Sequence, residues 1–101
     1  MDTKTLISEA KARFNHNSAK AQLKDKYDGK LLIADQGGLW KATPELIGFL
    51  ASSTNEHVIL IDTFDNPVFV NRVALHDVLD RVYRDTMTLW YSEWKELESK
   101  R

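Results

Sequence analysis

His57-Val58-Ile59-Leu60-Ile61-Asp62-Thr63-Phe64-Asp65-Asn66-Pro67-Val68-Phe69-Val70-Asn71 is the stretch whose reading decides the fold. Val58-Ile59-Leu60-Ile61 is β-branched and continuous rather than alternating, the pattern of a central strand covered on both faces. Residues 63–67 form a turn, because Asp and Asn tolerate unusual backbone angles and Pro67 fixes its own. Val68-Phe69-Val70 then returns as a partner strand, and the whole is a hairpin.

Working outward, Asn71 caps a last helix in which Leu75, Leu79, Tyr83, Met87, Trp90, Trp94 and Leu97 follow at three- or four-residue steps over about seven turns. Upstream, Thr43-Pro44-Glu45 is a strong helix start: a hydroxyl cap, a proline where no N–H is missed, and an acid at the positive helix end. Leu46, Ile47, Phe49 and Leu50 supply its buried side, and the polar run 52–55 ends it. Before it, Leu31-Leu32-Ile33 and Leu39-Trp40-Lys41-Ala42 flank Gln36-Gly37-Gly38, a first hairpin. The chain opens on helical spacing over 5–28, through Leu6, Ile7, Ala10, Phe14, Ala19, Leu23 and Tyr27. Asn15-His16-Asn17-Ser18 interrupts that stripe, which allows one bent helix or two, and Gly29 is placed to stop it. The fold class is therefore α+β in a single domain, 1–101: two antiparallel hairpins with N-terminal and C-terminal helices.

With 101 residues, 14 Lys+Arg against 15 Asp+Glu and a net charge of −1, the chain is too short for a multidomain enzyme and has no global attraction for nucleic acid or acidic lipid. The lack of cysteine removes disulfides and thiolate catalysis and fits a reducing compartment. Residues 1–4 lack a secretory pattern, and the longest aliphatic run is far below the roughly 20 residues of a membrane helix. The expectation is a cytoplasmic protein that does not engage a membrane. His16, His57 and His76 lack metal-ligand spacing, no nucleophile elbow occurs, and Gln36-Gly37-Gly38 lacks the phosphate-cradle pattern. Neither catalysis nor a metal or cofactor is expected.

Two groups of residues remain. Trp40 with Lys41, Phe64 with Asn66, and Arg72 combine aromatic faces, an amide and cations, the means of holding a single strand of RNA or DNA. Their ordinary alternatives are core packing for Trp40 and a ring folded back on its sheet for Phe64. Asp62 and Asp65 form a carboxylate pair of a kind that does acid-base work or holds a divalent cation, but the loop offers too few oxygens, and plain turn formation is the expected reading. Lys20, Lys24, Lys26 and Lys30 read as a solvated helix face. The second group is Leu89, Trp90, Tyr91 and Trp94, whose apolar area exceeds what two hairpins cover. Either the N-terminal helix or a neighbouring copy must cover it, and unpaired strand edges invite the same self-association.

The stretches 26–47, with Leu31-Leu32-Ile33-Ala34-Asp35-Gln36-Gly37-Gly38-Leu39-Trp40-Lys41-Ala42-Thr43-Pro44-Glu45 at their centre, and 58–72 resemble a family of small marine, cyanophage-like proteins associated with an Sm-like fold. That resemblance implies a leading helix, a small, strongly bent antiparallel sheet or Sm-like partial barrel, ring-forming subunits and RNA or single-stranded DNA binding in the cytoplasm of a phage-infected cell. Sm proteins carry an aspartate, a loop aromatic, and an asparagine four positions after the aspartate. Asp62, Phe64 and Asn66 have that spacing, which implies that Phe64 stacks on a base and Asn66 reads its edge. Asp65 stands where a methionine is usual, Pro67 follows the asparagine, and Asn71-Arg72 stands in for the usual Arg-Gly. The function expected is non-enzymatic, nucleic-acid-binding and ring-forming. The alternative is a virion or assembly protein that acts through protein contacts of its aromatic C-terminal helix.

Overall fold

The structure, a computed structural model, describes residues 3–100. Seven elements follow in order: α1 (Thr3–Lys30), β1 (Leu32–Asp35), β2 (Gly38–Lys41), α2 (Pro44–Ser52), β3 (His57–Ile61), β4 (Pro67–Asn71) and α3 (Arg72–Ser99). The architecture is α+β and elongated, 65 × 24 × 19 Å. A compact head holds the strands and α2. A stalk of α1 and α3 runs away from it.

Each stalk helix has 28 residues, a length of about 42 Å at 1.5 Å per residue. They run antiparallel, since Tyr27 stacks on Trp90 with ring centroids 5.9 Å apart, while His16 reaches Glu98 at 3.1 Å. α1 is one helix. Residues 15–18 do not break it, and Gly29 lies within it rather than ending it. Asn and Ser lower helix propensity by only a fraction of a kcal/mol each, too little to interrupt a helix whose C-terminal half packs on α3.

In the head, β1 pairs with β2 and β3 with β4, both antiparallel, as two separate two-stranded sheets. No barrel closes among the described residues. The first hairpin turns on Gln36 and Gly37, both with positive φ, 50° and 81°, as a two-residue loop between right-twisted strands demands. Gly38 belongs to β2 rather than to the turn, and a Cβ there would lie 2.5 Å from Trp40 Cζ2, so only glycine lets the buried indole lie against the strand.

Leu31, Trp40, Ala42, Leu50, Val70, Leu75 and Leu79 form the core, flanked by Ile33, Leu46, Ile47, Val58, Leu60, Val68, Val82 and Tyr83. The start of α3 thus packs under both hairpins and α2. The reading of β3 as a strand covered on both faces is corrected here. Burial alternates along it, with Val58 and Leu60 inward and His57, Ile59 and Ile61 outward, because the sheet has one layer beneath it and none above.

Two side chains sew the hairpins together where the strands do not pair. Thr63 N donates to Leu39 O at 2.9 Å, and Leu39 N donates to the Asp62 carboxylate at 3.1 Å. Gln36 repeats the device: Asn71 N donates to its Oε1 at 2.7 Å, and its Nε2 donates to Asn71 O at 3.2 Å. In both places a side chain satisfies backbone groups that a neighbouring strand would otherwise satisfy.

Candidate functional site

The β3–β4 loop gathers three of the residues whose spacing matched the Sm pattern. Asp62 is buried; its Oδ1 accepts from Phe64 N and Asn66 N, both at 3.0 Å, and its Oδ2 from Leu39 N. These donors hold the carboxylate below its usual pKa. The Asn66 N–H contributes most, and together with those of Leu39 and Phe64 it outweighs the upward push of burial. The loop is closed further by Asp62 N donating to Asn66 O at 2.9 Å, and Asp65 takes a positive φ of 62°. Asp62 therefore organises the loop, and its acceptor capacity points into its own chain.

That loop displays Phe64, 68% exposed, and Asn66, also exposed. Both border an open hollow shared with Asp35, Gln36, Gly38 and Leu39. The charged side chains lining the hollow are the carboxylates of Asp35 and Asp62; no lysine or arginine lines it. It repels phosphate rather than attracting it.

The other expected nucleic-acid residues are placed elsewhere. Trp40 is 2% exposed and its Nε1 donates to Asp35 O at 2.9 Å, so its ring packs in the core and stacks on nothing external. Lys41 is exposed at the far end of β2, 3.9 Å from Asp28. Asn71 is the N-cap of α3, accepting from Ala74 N at 2.9 Å. Arg72 donates from Nε to Asn55 O and from Nη1 to Leu50 O, both at 2.6 Å. Its charge thereby satisfies the negative C-terminal end of α2. The seven residues do not converge on one surface.

Of the aromatic group on α3, Trp90 is covered by the chain's own Tyr27. Beside that stack Lys26 donates to Glu93 at 2.9 Å, which lowers the Glu93 pKa and raises that of Lys26. Leu89, Tyr91 and Trp94 remain exposed, the last two stacked on each other at 6.0 Å.

An uncovered apolar surface of the head lies on β3–β4. Ile59, 69% exposed, is directly opposite Phe69, 67% exposed, and Ile61 is opposite Pro67. His57 extends the patch by stacking on Phe69 at 4.8 Å. Nothing in the composition separates this face from the buried one, since both carry aliphatic residues; only the missing second layer distinguishes them.

Among the described residues, no group of His, Asp and Glu could hold a metal ion, and no helix is long and apolar enough to cross a membrane. Comparison of the chain with family models, with curated proteins and with solved structures returns no match.

Proposed function

We propose that this chain is a non-enzymatic assembly protein that joins copies of itself through the outer face of β3–β4. The observation that carries the reading is the row Ile59, Ile61 and Phe69, outward, apolar and uncovered. Each strand also has one edge that no other strand pairs among the described residues, with Gln36 occupying that of β4 only at Asn71, which favours the approach of another strand or sheet. Two such faces packed about 10 Å apart would make a small sandwich. Six large side chains, at about 1.5–3 kcal/mol each when fully buried, bring at most about 9–18 kcal/mol against the roughly 4–15 kcal/mol that association costs. Exposed Leu89, Tyr91 and Trp94 extend the apolar surface available to a partner down the stalk.

Phe69→Lys tests this, because its ring lies outside the core and the fold should survive the change. Light scattering is expected to give a mass above one chain for the native protein and one chain for the variant, with unchanged circular dichroism. A native protein that stays at one chain near ~100 μM, where contacts with a Kd of about 10 μM would already be populated, removes the reading.

A second reading is favoured by Phe64 and Asn66, uncovered side by side. In an Sm-like ring, with the bent hairpins closed by edge pairing between subunits, each copy would offer one stacking ring and one amide to single-stranded RNA or DNA. Repetition around an axis would offset weak single contacts. Retention of oligonucleotides that is lost in Phe64→Ala is its expected mark; retention of oligonucleotide by Phe64→Ala equal to that of the native protein removes it.

A further inference from the structure

The two edges of the β3–β4 hairpin are unlike. Arg72 N donates to Glu56 O and Asp62 N to Asn66 O, both at 2.9 Å, at the two ends of an unbroken register that sets His57 opposite Asn71 and Ile61 opposite Pro67. Backbone bonding alternates along an antiparallel strand. Val58 and Leu60 therefore bond across the hairpin to Val70 and Val68, and the N–H and C=O groups of His57, Ile59 and Ile61 point away from it, as do those of Phe69 and Asn71 on the other side.

On β4 this edge is guarded. Pro67 has no N–H to give, and Gln36 fills both bonding positions of Asn71, which leaves Phe69 as the residue of β4 with an N–H for a new strand. On β3 nothing guards it. The run His57-Val58-Ile59-Leu60-Ile61 has no proline, lysine, arginine or acid and no bulge, the devices that keep a strand edge from pairing. No backbone or side-chain group among the described residues bonds the outward groups of His57, Ile59 and Ile61.

We infer, on the footing of the joined outer faces proposed above, that β3 also pairs antiparallel with β3 of a second copy, about a two-fold axis at Ile59. In that register Ile59 lies opposite Ile59 of the other copy and His57 opposite its Ile61, on both sides of the axis. Every outward N–H of one strand then donates to an outward C=O of the other. A shift by two residues in either direction leaves Ile61 or His57 without a partner.

The side chains say why the added strand is β3. Opposite residues of an antiparallel pair show their side chains on one face, so the joined sheet β4–β3–β3–β4 carries the row Phe69, Ile59, Ile59, Phe69 across its outer side. Val58 and Leu60 meet on the inner side. The added strand must therefore be apolar on both faces, as β3 is. β1 carries Asp35, β2 carries Lys41 and β4 has its proline.

Each backbone bond replaces one to water and gains little, so the edge does not hold two chains by itself. It closes between copies whose faces are also covered, and it doubles the apolar width that each face offers. The edge contact is isologous and ends with two copies to a sheet, whereas a ring needs a head-to-tail edge.

Amide exchange of the native protein, read residue by residue, tests the pairing with Phe69 as internal control. Ile59 and Phe69 are opposite each other on one face, so covering that face alone slows both N–H groups alike. Edge pairing bonds the Ile59 N–H and leaves that of Phe69 free. Ile59 and Ile61 are expected to exchange on the order of a hundredfold more slowly than Phe69. Register is read by oxidising single cysteine variants, in a chain with no cysteine of its own. Ile59→Cys would lie opposite itself with Cα atoms about 5.5 Å apart, within disulfide range. It should cross-link about tenfold or more faster than Ile61→Cys, which should link instead to His57→Cys. Ile59 exchanging at the rate of Phe69, in a protein that light scattering shows to be assembled, overturns the edge pairing and leaves the face contact standing. Ile61→Cys as fast as Ile59→Cys overturns the antiparallel register. A native protein that scatters as one chain overturns face and edge together.

Discussion

In the head, Trp40, Leu50, Val70, Leu75 and Leu79 are almost wholly removed from water. Along the stalk, Tyr27 and Thr86 are the buried residues among those described, and the cross-links include the stack of Tyr27 on half-covered Trp90 and the polar pairs Lys26–Glu93, Tyr27–Glu93 and His16–Glu98. The difference teaches where stability is concentrated. Hydrophobic burial fixes the head, while the stalk keeps its helices together with interactions worth far less apiece. Regions of few buried contacts open locally at lower free energy than a core. The stalk is therefore the part of the molecule expected to open first.

The largest test of that contrast is a pair of tryptophan truncations. Trp40→Ala removes a buried indole with its hydrogen bond, and about 3–5 kcal/mol of loss is expected, a large share of the roughly 5–15 kcal/mol of a typical domain. Its denaturant midpoint should fall steeply. Trp90→Ala removes a half-covered ring and a stack worth about 0.5–1.5 kcal/mol beyond its area. Its midpoint should move much less, while limited proteolysis cuts α1 faster and leaves the head intact. If Trp90→Ala unfolds the head as Trp40→Ala does, head and stalk are one cooperative unit and the division is wrong.

The sequence was most legible where local chemistry decides the outcome. Thr43 caps α2 by accepting from Leu46 N, Asn71 caps α3, and both hairpins lie where their turns placed them. Tertiary relations were less legible. Val58-Ile59-Leu60-Ile61 reads the same whether one layer or two cover it, so its bare face was hidden in composition. Gln36 looked like a turn residue, and nothing local says that its amide would serve Asn71 35 positions away. Arg72 and Trp40 have the residue types of a nucleic-acid site, but a guanidinium satisfies a helix end as readily as a phosphate, and an indole packs in a core more often than it stacks on a base. One signal in α1 was present and easy to misread: residues 15–18 mark not a break in the helix but the point where its apolar stripe changes face.

A finer comparison sets two acidic groups against each other. Asp62 in the head and Glu93 on the stalk both have pKa values below their usual ones, the first chiefly through the Asn66 N–H, the second chiefly through Lys26. A carboxyl group whose pKa is lower in the folded chain than in the unfolded one stabilises the fold fully above its unfolded value, about 4, and loses that contribution as pH falls through the native value. Asp62→Asn and Glu93→Gln should therefore each be less stable than the native protein at pH 7, and both deficits should shrink below about pH 4. Salt tells them apart. Lys26 and Glu93 are exposed, so about 1 M salt, with a Debye length near 3 Å, should erase most of the Glu93→Gln deficit. Asp62 is held by short bonds to three backbone N–H groups that salt screens poorly, so its deficit should persist in thermal melts at both ionic strengths. An Asp62→Asn deficit that vanished with salt would mean that the loop is held by long-range charge, and the sewing of β2 to the β3–β4 loop would lose its strongest stitch.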